Sequence, residues 1–408
     1  MQLGRTPELK ESKAIPNCMV AVLTGGSDKP YVLGLTAELL SRGIGIDLIG
    51  SDELDCPELS NRDGLNFLNL RGDQRSNADI STKMARVLRY YWKLLRYAAS
   101  AKPKIFHILW NNKFQFFDRT FLMLYYKLLG KKIVFTAHNV NAGKRDASDS
   151  LLNRITLRVQ YHFCDHIFVH TEKMKCELLE EFGVQNDRIS VIPFGINNSV
   201  PHTDLTPAEA KQRLGIGGNE KAILFFGAIR PYKGLEHLVD AFLRLTAAHP
   251  EYRLIIAGQP RKESQKYLDE IQRTIDGHIN RTQVIQKIQF IPDEETELYF
   301  KAADVLALTY THIFQSGVLF LAHCFGLPVV AADIGSFRDD VIEGRTGFLY
   351  DASDVGALAR TIEMYFASDL YKELDTRRDD IRDLAERTHS WESVGQTTRG
   401  VYEKLLAQ

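Results

Sequence analysis

The chain has 408 residues, 44% hydrophobic and 25% charged, with 51 Lys and Arg against 52 Asp and Glu and a net charge of −1. That length exceeds one ordinary core and predicts two domains of roughly 200 residues. The charge balance excludes a surface-wide polyanion site, so nucleic acid is not an expected partner and any basic site must be local.

Taken from the N-terminus, residues 1–18 carry no apolar core ahead of the first strand, so no secretory signal is expected and the protein is placed in the cytoplasm. The cysteines, Cys18, Cys56, Cys164, Cys176 and Cys324, form no C-x-x-C pair and no ligand-like spacing with histidine. Neither a zinc centre nor a disulfide framework is expected.

Short apolar runs follow, "CMVAVLT" (18–24), "IGIDLIG" (44–50), "KIFHILW" (104–110), "KIVFTAH" (132–138) and "HIFVHT" (166–171). Strands buried on both faces of a parallel sheet read this way. The polar stretch 193–220 is a linker holding one short helix, with Thr206 as N-cap, Pro207 at the first helical position, Glu209 closing a capping box and Gly215 as the stop. The hinge falls near residue 200. The rhythm then restarts with "AILFFG" (222–227), "RLIIAG" (253–258), "KIQFIP" (287–292), "DVLALT" (304–309) and "PVVAAD" (328–333). The most apolar window, 316–335, contains His323, Pro328 and three glycines and reads as helix, break and strand rather than a membrane span. In "SWESVGQTTRGVYEKLLAQ", Trp391, Val394, Val401 and Leu405 recur at helical intervals. The predicted fold is α/β: two Rossmann-like doubly wound domains facing across a cleft, 1–200 and 201–385, with a helix over 386–408 docking back on the first.

In such domains ligands sit at the carboxyl ends of the strands. There "FFGAIRPYKG" sets Arg230 and Lys233 between a strand and a helix, with Gly227 and Gly234 freeing the turn and Pro231 stiffening it. A solvated basic loop is the plain alternative. A second turn places Gln315, Ser316, Gly317 and Val318 at the start of an apolar helix, whose N–H groups and positive end attract phosphate; Ser316 reads equally well as an N-cap. A third, Gly25 and Gly26 after the first strand, is a weaker signal. The three turns together suggest a diphosphate held across the cleft.

The order and spacing of "FFGAIRPYKGLEHLVDAF", "RLIIAG", "IQFIPDEETELYFKAADVLAL", "FGLPVVAADIGSFRDDVIEGRTGFLYDASDVGALA", "TAHN" and "DHIFVHTEKMKCELLEEFGVQNDRISVIPFGIN" resemble the GT-B-fold glycosyltransferases of family 4 over nearly the whole chain. The resemblance implies transfer of a hexosyl unit from a nucleotide-sugar, normally with retention and without a metal or other cofactor. The donor would lie on the C-terminal domain and a glycan or lipid-linked acceptor on the N-terminal one, as in surface polysaccharide synthesis. Lys233 matches the family lysine on the donor diphosphate. Arg230 stands two residues beyond the place of the usual arginine, which here is Ala228. The family's paired glutamates fall on Ile313 and Leu321, so both carboxylates are absent. That absence supports one alternative to a transferase, a non-catalytic nucleotide- or glycan-binding homologue; an epimerase or phosphorylase of the same fold is a second. Asp339 matches a frequent family glutamate and equally a helix-start acid. The base would be held by backbone of the loop Phe290, Ile291, Pro292, which does not separate uracil from guanine.

His138, in "FTAHN", matches the family's T-x-H motif and is expected to hydrogen-bond the donor sugar or the developing charge; a buried structural histidine is the alternative. Asn139, Lys144 and Arg145 follow it on the acceptor side, the two cations as candidates for an acceptor phosphate. Residues 83–104 and 112–132 interleave Arg86, Arg89, Lys93 and Arg96 with tyrosines and Trp92. Such helices either pack their aromatics inward or rest peripherally on an anionic membrane.

Overall fold

The computed structural model describes residues 19–25, 28–59, 62–74, 79–112, 114–145, 149–195, 200–278, 280–313, 315–354 and 356–408. Its N-terminal half forms one parallel sheet from β1 (Met19–Leu23), β2 (Gly45–Gly50), β3 (Leu65–Asn69), β4 (Ile105–Ile108), β5 (Lys132–Thr136), β6 (His166–Val169) and β7 (Ile189–Val191). The spatial order is β3-β2-β1-β4-β5-β6-β7. The C-terminal half forms a second from β8 (Lys221–Phe226), β9 (Tyr252–Ala257), β10 (Val284–Lys287), β11 (Val305–Leu308), β12 (Val329–Ala332) and β13 (Gly347–Tyr350), in the order β10-β9-β8-β11-β12-β13. Both sheets reverse direction of growth at one pair, β1 beside β4 and β8 beside β11, and the turns leaving these strands open the crevice where ligands bind.

Period-2 alternation sends successive side chains of each inner strand into two different cores. On β1, Val20 and Val22 join α1 (Lys29–Ser41), while Ala21 and Leu23 join α2 (Ile80–Ser100), the helical run 115–128 and α3 (Leu151–Phe163). On β8, Ile223 and Phe225 pack on α4 (Leu235–Thr246), while Ala222 and Leu224 pack on α5 (Asp293–Ala302) and α6 (Gly317–Cys324). The capping box at Thr206 and Glu209 forms with both bonds present.

The last helix, α7 (Trp391–Leu406), lies on α1, so the C-terminus of the chain belongs to the N-terminal core. Val394, Val401 and Leu405 enter that core, and the Tyr402 hydroxyl lies 2.6 Å from Nδ1 of His107. The indole of Trp391 seats on two glycines: a Cβ at Gly34 would lie 2.5 Å from Nε1, and one at Gly195 2.6 Å from Cη2. The two segments that connect the halves meet at one side chain of α6. Phe194 stacks on Phe320 at 5.6 Å between centroids, and His389 packs on the same ring at 4.3 Å.

The expected run over 287–292 is corrected. The strand is Val284–Lys287, and 290–292 is loop, with Pro292 at the N-cap of α5. Among the described residues no helix is long and apolar enough to cross a membrane.

Candidate active site

β8 delivers the chain to Gly227, at φ +97°, a conformation only glycine adopts without strain. The turn that follows is fastened to the end of β11. The Thr309 hydroxyl reaches the carbonyls of Lys233 (2.9 Å) and Gly234 (2.8 Å), and the Thr311 N–H donates to the Tyr232 carbonyl (2.8 Å). These bonds tuck Lys233 inward, leaving it 6% exposed. Its Nζ lies 3.4 Å from the Phe226 carbonyl and 5.5 Å from the centre of the Tyr310 ring. A Cβ at Gly227 would sit 2.9 Å from that Nζ and 3.7 Å from Cγ2 of Val318, so the turn and the start of α6 converge.

Among the described residues no carboxylate pairs with Lys233. Burial pushes its pKa down to about 8, with the neighbouring Arg230 acting in the same direction and Tyr232 against it. The ammonium is thus still charged at neutral pH, in a place that favours its neutral form. Arg230 is half-buried, its guanidinium 6.0 Å from the Tyr232 ring centre. Ser316 occupies the N-cap position of α6, but its side chain does not cap the helix and instead stands 3.3 Å from the Tyr310 hydroxyl. Gly317 faces open space, with nothing closer to a Cβ than Phe194 at 4.0 Å, and buried Oε1 of Gln315 has no partner among the described residues.

Tyr232, Lys233, Tyr310 and the run Gln315 to Val318 form one wall of a cleft of about 290 Å³, while Arg230 stands beside it and does not line it. The other wall comes from the N-terminal domain, through Asp28, Pro30 and Tyr31 with Phe194 and Gly195. Ile313 and Leu321 line the cleft as well, so apolar surface stands where paired acids were sought.

His138 stands behind Tyr31, their ring centres 4.7 Å apart, and stacks flat on Trp110 at 4.1 Å. Burial, then the neighbouring His170 and His107, hold its pKa well below the ordinary value, so it is neutral. His170, lowered to about 4 by burial, is neutral too. Its Nδ1 lies 3.2 Å from the Ile192 carbonyl, which accepts only, so that nitrogen carries the proton. Nε2 of His170 then accepts from Nδ1 of His138 at 3.1 Å. This relay leaves Nε2 of His138 as a bare acceptor, buried and without a partner among the described residues. Asn139 follows, half-buried.

Four expectations are corrected or displaced. Gly25 is demanded by packing, since a Cβ there would overlap the Trp110 carbonyl, and Gly26 lies outside the described residues. The start of α1 beyond them is occupied by Asp28, whose carboxylate accepts from the Tyr31 N–H at 3.3 Å; this fixed acid repels a diphosphate. Burial, and then Asp293 across the cleft, raise the Asp28 pKa despite that bond. Lys144 is not open to an acceptor phosphate, because its ammonium pairs with Glu177 at 3.2 Å and with Glu181, which together raise its pKa against burial. The Arg145 side chain lies outside the described residues. In the presumed base loop Phe290 is 66% exposed and Ile291 is buried, but neither lines the cleft. Exposed Asp339 is overshadowed by Asp340, whose carboxyl burial raises to about 6 and whose Oδ2 has no partner among the described residues.

Sequence reasoning missed Tyr31, Asp28 and Tyr310. Only the position of Asp28 and Tyr31, just after the Gly-Gly pair, hinted at them. Among the described residues no group of three His, Cys, Asp or Glu side chains is placed to hold a metal ion.

Two parallel α/β domains facing across a cleft define the GT-B architecture, and here a buried cation stands on one wall. A family model described as "Glycosyl transferases group 1" matches residues 207–381, and one described as "Glycosyltransferase Family 4" matches residues 30–200. The chain belongs to these group 1, family 4 glycosyltransferases, a class of transferase enzymes. A D-inositol 3-phosphate glycosyltransferase of Corynebacterium efficiens is 28% identical over 285 residues, 67% of this chain and 65% of its own length. One from Mycobacterium sp. (strain JLS) is 24% identical over 377 residues, 89% of this chain and 83% of its own. In fold the chain resembles a sucrose-phosphate synthase from Thermosynechococcus elongatus, at TM-score 0.74, 18% identity and coverage of 96% of this chain and 100% of that one. It also resembles Anabaena HepE solved with UDP and glucose, at TM-score 0.73, 16% identity and coverage of 96% and 100%.

Proposed function

We propose that the protein transfers a hexosyl unit from a UDP- or GDP-sugar to a glycan or lipid-linked acceptor, with retention of configuration, in the assembly of a surface polysaccharide. The observation that carries this reading is Lys233: a buried ammonium with no carboxylate among the described residues, beside an uncapped helix start. A buried charge without a counterion is costly, and an entering diphosphate supplies the missing anion.

In the reaction the acceptor hydroxyl oxygen bonds to the anomeric carbon as the bond from that carbon to the donor phosphate oxygen breaks. The acceptor proton passes to the departing diphosphate, whose growing charge Lys233 and the positive end of α6 stabilise, with Arg230 adding its field from beside the cleft. They supply the positive charge that a metal ion would otherwise bring. Neutral His138, its acceptor Nε2 shut behind Tyr31, is unsuited to a developing negative charge and meets a sugar hydroxyl only when Tyr31 moves aside. The UDP in the HepE structure favours uracil as the first base to test. The relatives named for inositol 3-phosphate add a polyol phosphate to the acceptors worth assaying.

The test is calorimetric titration with UDP, GDP, ADP and dTDP, repeated on Lys233→Ala, with turnover measured on the matching sugar nucleotide. One nucleotide binds the wild type, and Lys233→Ala loses about 2 to 4 kcal/mol of transition-state stabilisation. Normal turnover by a folded Lys233→Ala, or silence with all four nucleotides, would sink the reading.

A further inference from the structure

The charge of the chain is unevenly spread. Residues 80–132 hold 12 Lys and Arg against a single acid, Asp118, in a protein whose net charge is −1. The same region is where apolar surface is left uncovered. Of 15 large hydrophobic side chains exposed among the described residues, 12 lie between Ile80 and Ile155.

Three neighbouring helical segments carry them. Tyr91 of α2 packs on Phe117 at 5.0 Å, and the Tyr125 hydroxyl donates to the Leu95 carbonyl at 3.1 Å, joining α2 to the run 115–128. Arg119 donates to Asn153 at 2.8 Å, joining that run to α3. Their inner sides fill the core under β1 and β4. Their outer sides present Ile80, Met84, Leu88 and Trp92 at steps of four on α2, the last two 65% and 60% exposed. Phe121, Leu124 and Leu128 continue the surface on the next segment, and Leu151, Leu152 and Ile155 on α3. Exposed Lys83, Arg89 and Arg96 are set among them, with the Arg96 guanidinium 5.5 Å from the Trp92 ring centre. α2 itself contains no acid.

We propose that this face docks on an anionic lipid bilayer. Apolar side chains enter the acyl boundary, Trp92 sits at headgroup level, and the interspersed cations meet lipid phosphates. The charge complementarity selects a bilayer over a second copy of the chain, since two such faces brought together would oppose like charges. A groove of about 390 Å³ opens at the edge of the face, lined by Ile80, Met84 and Phe114 and by Arg71, Lys83 and Arg86. Arg71 bonds the Gly25 carbonyl, so the groove runs towards the turn beside the cleft. A docked molecule therefore holds its acceptor side at the lipid surface. That last point rests on the transferase reading; the docking does not.

The test is co-sedimentation of the full chain with vesicles of equimolar phosphatidylglycerol and phosphatidylcholine, against phosphatidylcholine alone, at low and high salt. Binding to the anionic vesicles that weakens with salt is expected. Lys83→Gln with Arg89→Gln removes two exposed charges and lowers the partition coefficient about thirtyfold, at roughly 1 kcal/mol per charge. Leu88→Ser with Trp92→Ala removes exposed apolar groups and lowers the binding that survives high salt. Far-UV circular dichroism confirms that both variants fold. No sedimentation of the wild type with anionic vesicles overturns the proposal, as does equal sedimentation of both double variants. A dimer that Leu88→Ser with Trp92→Ala dissolves, without change in vesicle binding, assigns the face to a second copy instead. Because no donor or acceptor is present, a negative result leaves the sugar-transfer reading untouched.

Discussion

Replacing Gly34 by alanine sets two effects of opposite sign against each other. Gly34 is inside α1, where Gly→Ala in an exposed helix stabilises by about 1 kcal/mol. Here the added Cβ would lie 2.5 Å from Nε1 of Trp391 and nearer still to Cε2 and Cζ2. The indole is flanked by Gly195 and by Tyr31, whose ring centre is 5.1 Å away, so making room means pushing it off these contacts into the groove it partly lines. Overpacking of this kind costs about 1 to 3 kcal/mol, so after the helix gain Gly34→Ala is expected to destabilise by up to about 2 kcal/mol net. Trp391→Ala removes the obstacle, and in that background the same change should stabilise by about 1 kcal/mol, a coupling of roughly 1 to 3 kcal/mol. Urea unfolding followed by circular dichroism reads both backgrounds, provided the slope with denaturant is unchanged. A Gly34→Ala protein more stable than wild type, or an equal effect in both backgrounds, would refute the packing argument.

Two further outcomes concern pH. Because free Lys233 titrates near 8 and the bound anion favours its charged form, nucleotide binding should take up protons. Affinity then holds steady from this group below pH 7 and falls by up to about tenfold per pH unit above 8; calorimetry in buffers of differing ionisation enthalpy checks it, and pH-independent binding between 7 and 10 contradicts the assignment. The neutral pair His138 and His170 predicts a kcat/KM profile without an acid limb near 6.5. The loss should come only towards pH 4, where His170 gains a proton and its Nε2 no longer accepts from His138.

What the sequence revealed and hid follows from burial. Every inner strand lies under helices on both faces and announced itself as an unbroken apolar run, from "CMVAVLT" to "PVVAAD". The four sheet edges did not. β3 and β7 went unseen and β10 was placed three residues late, because an edge strand has one unpaired side and tolerates the Asn, Ser and Gln found there; β13 went unseen as four residues opening on a glycine. At the site, Lys233 and Ser316 were legible because a cation after a strand and a glycine before a helix are local patterns. Lys144 was misread because its carboxylates stand 33 and 37 residues away, and Asp28 because its cap depends on how the Gly25 turn closes.

The meeting of both connecting segments at Phe320 also governs how the molecule can open. A body joined to another by two straps swings about the line between them, and a point travels in proportion to its distance from that line. Phe194 and His389 set this axis against the middle of α6, four residues from Ser316. The start of α6 therefore stays nearly still while the far rims of the cleft sweep through the longest arcs. On the transfer proposed above, a donor diphosphate at the start of α6 would ride close to the pivot.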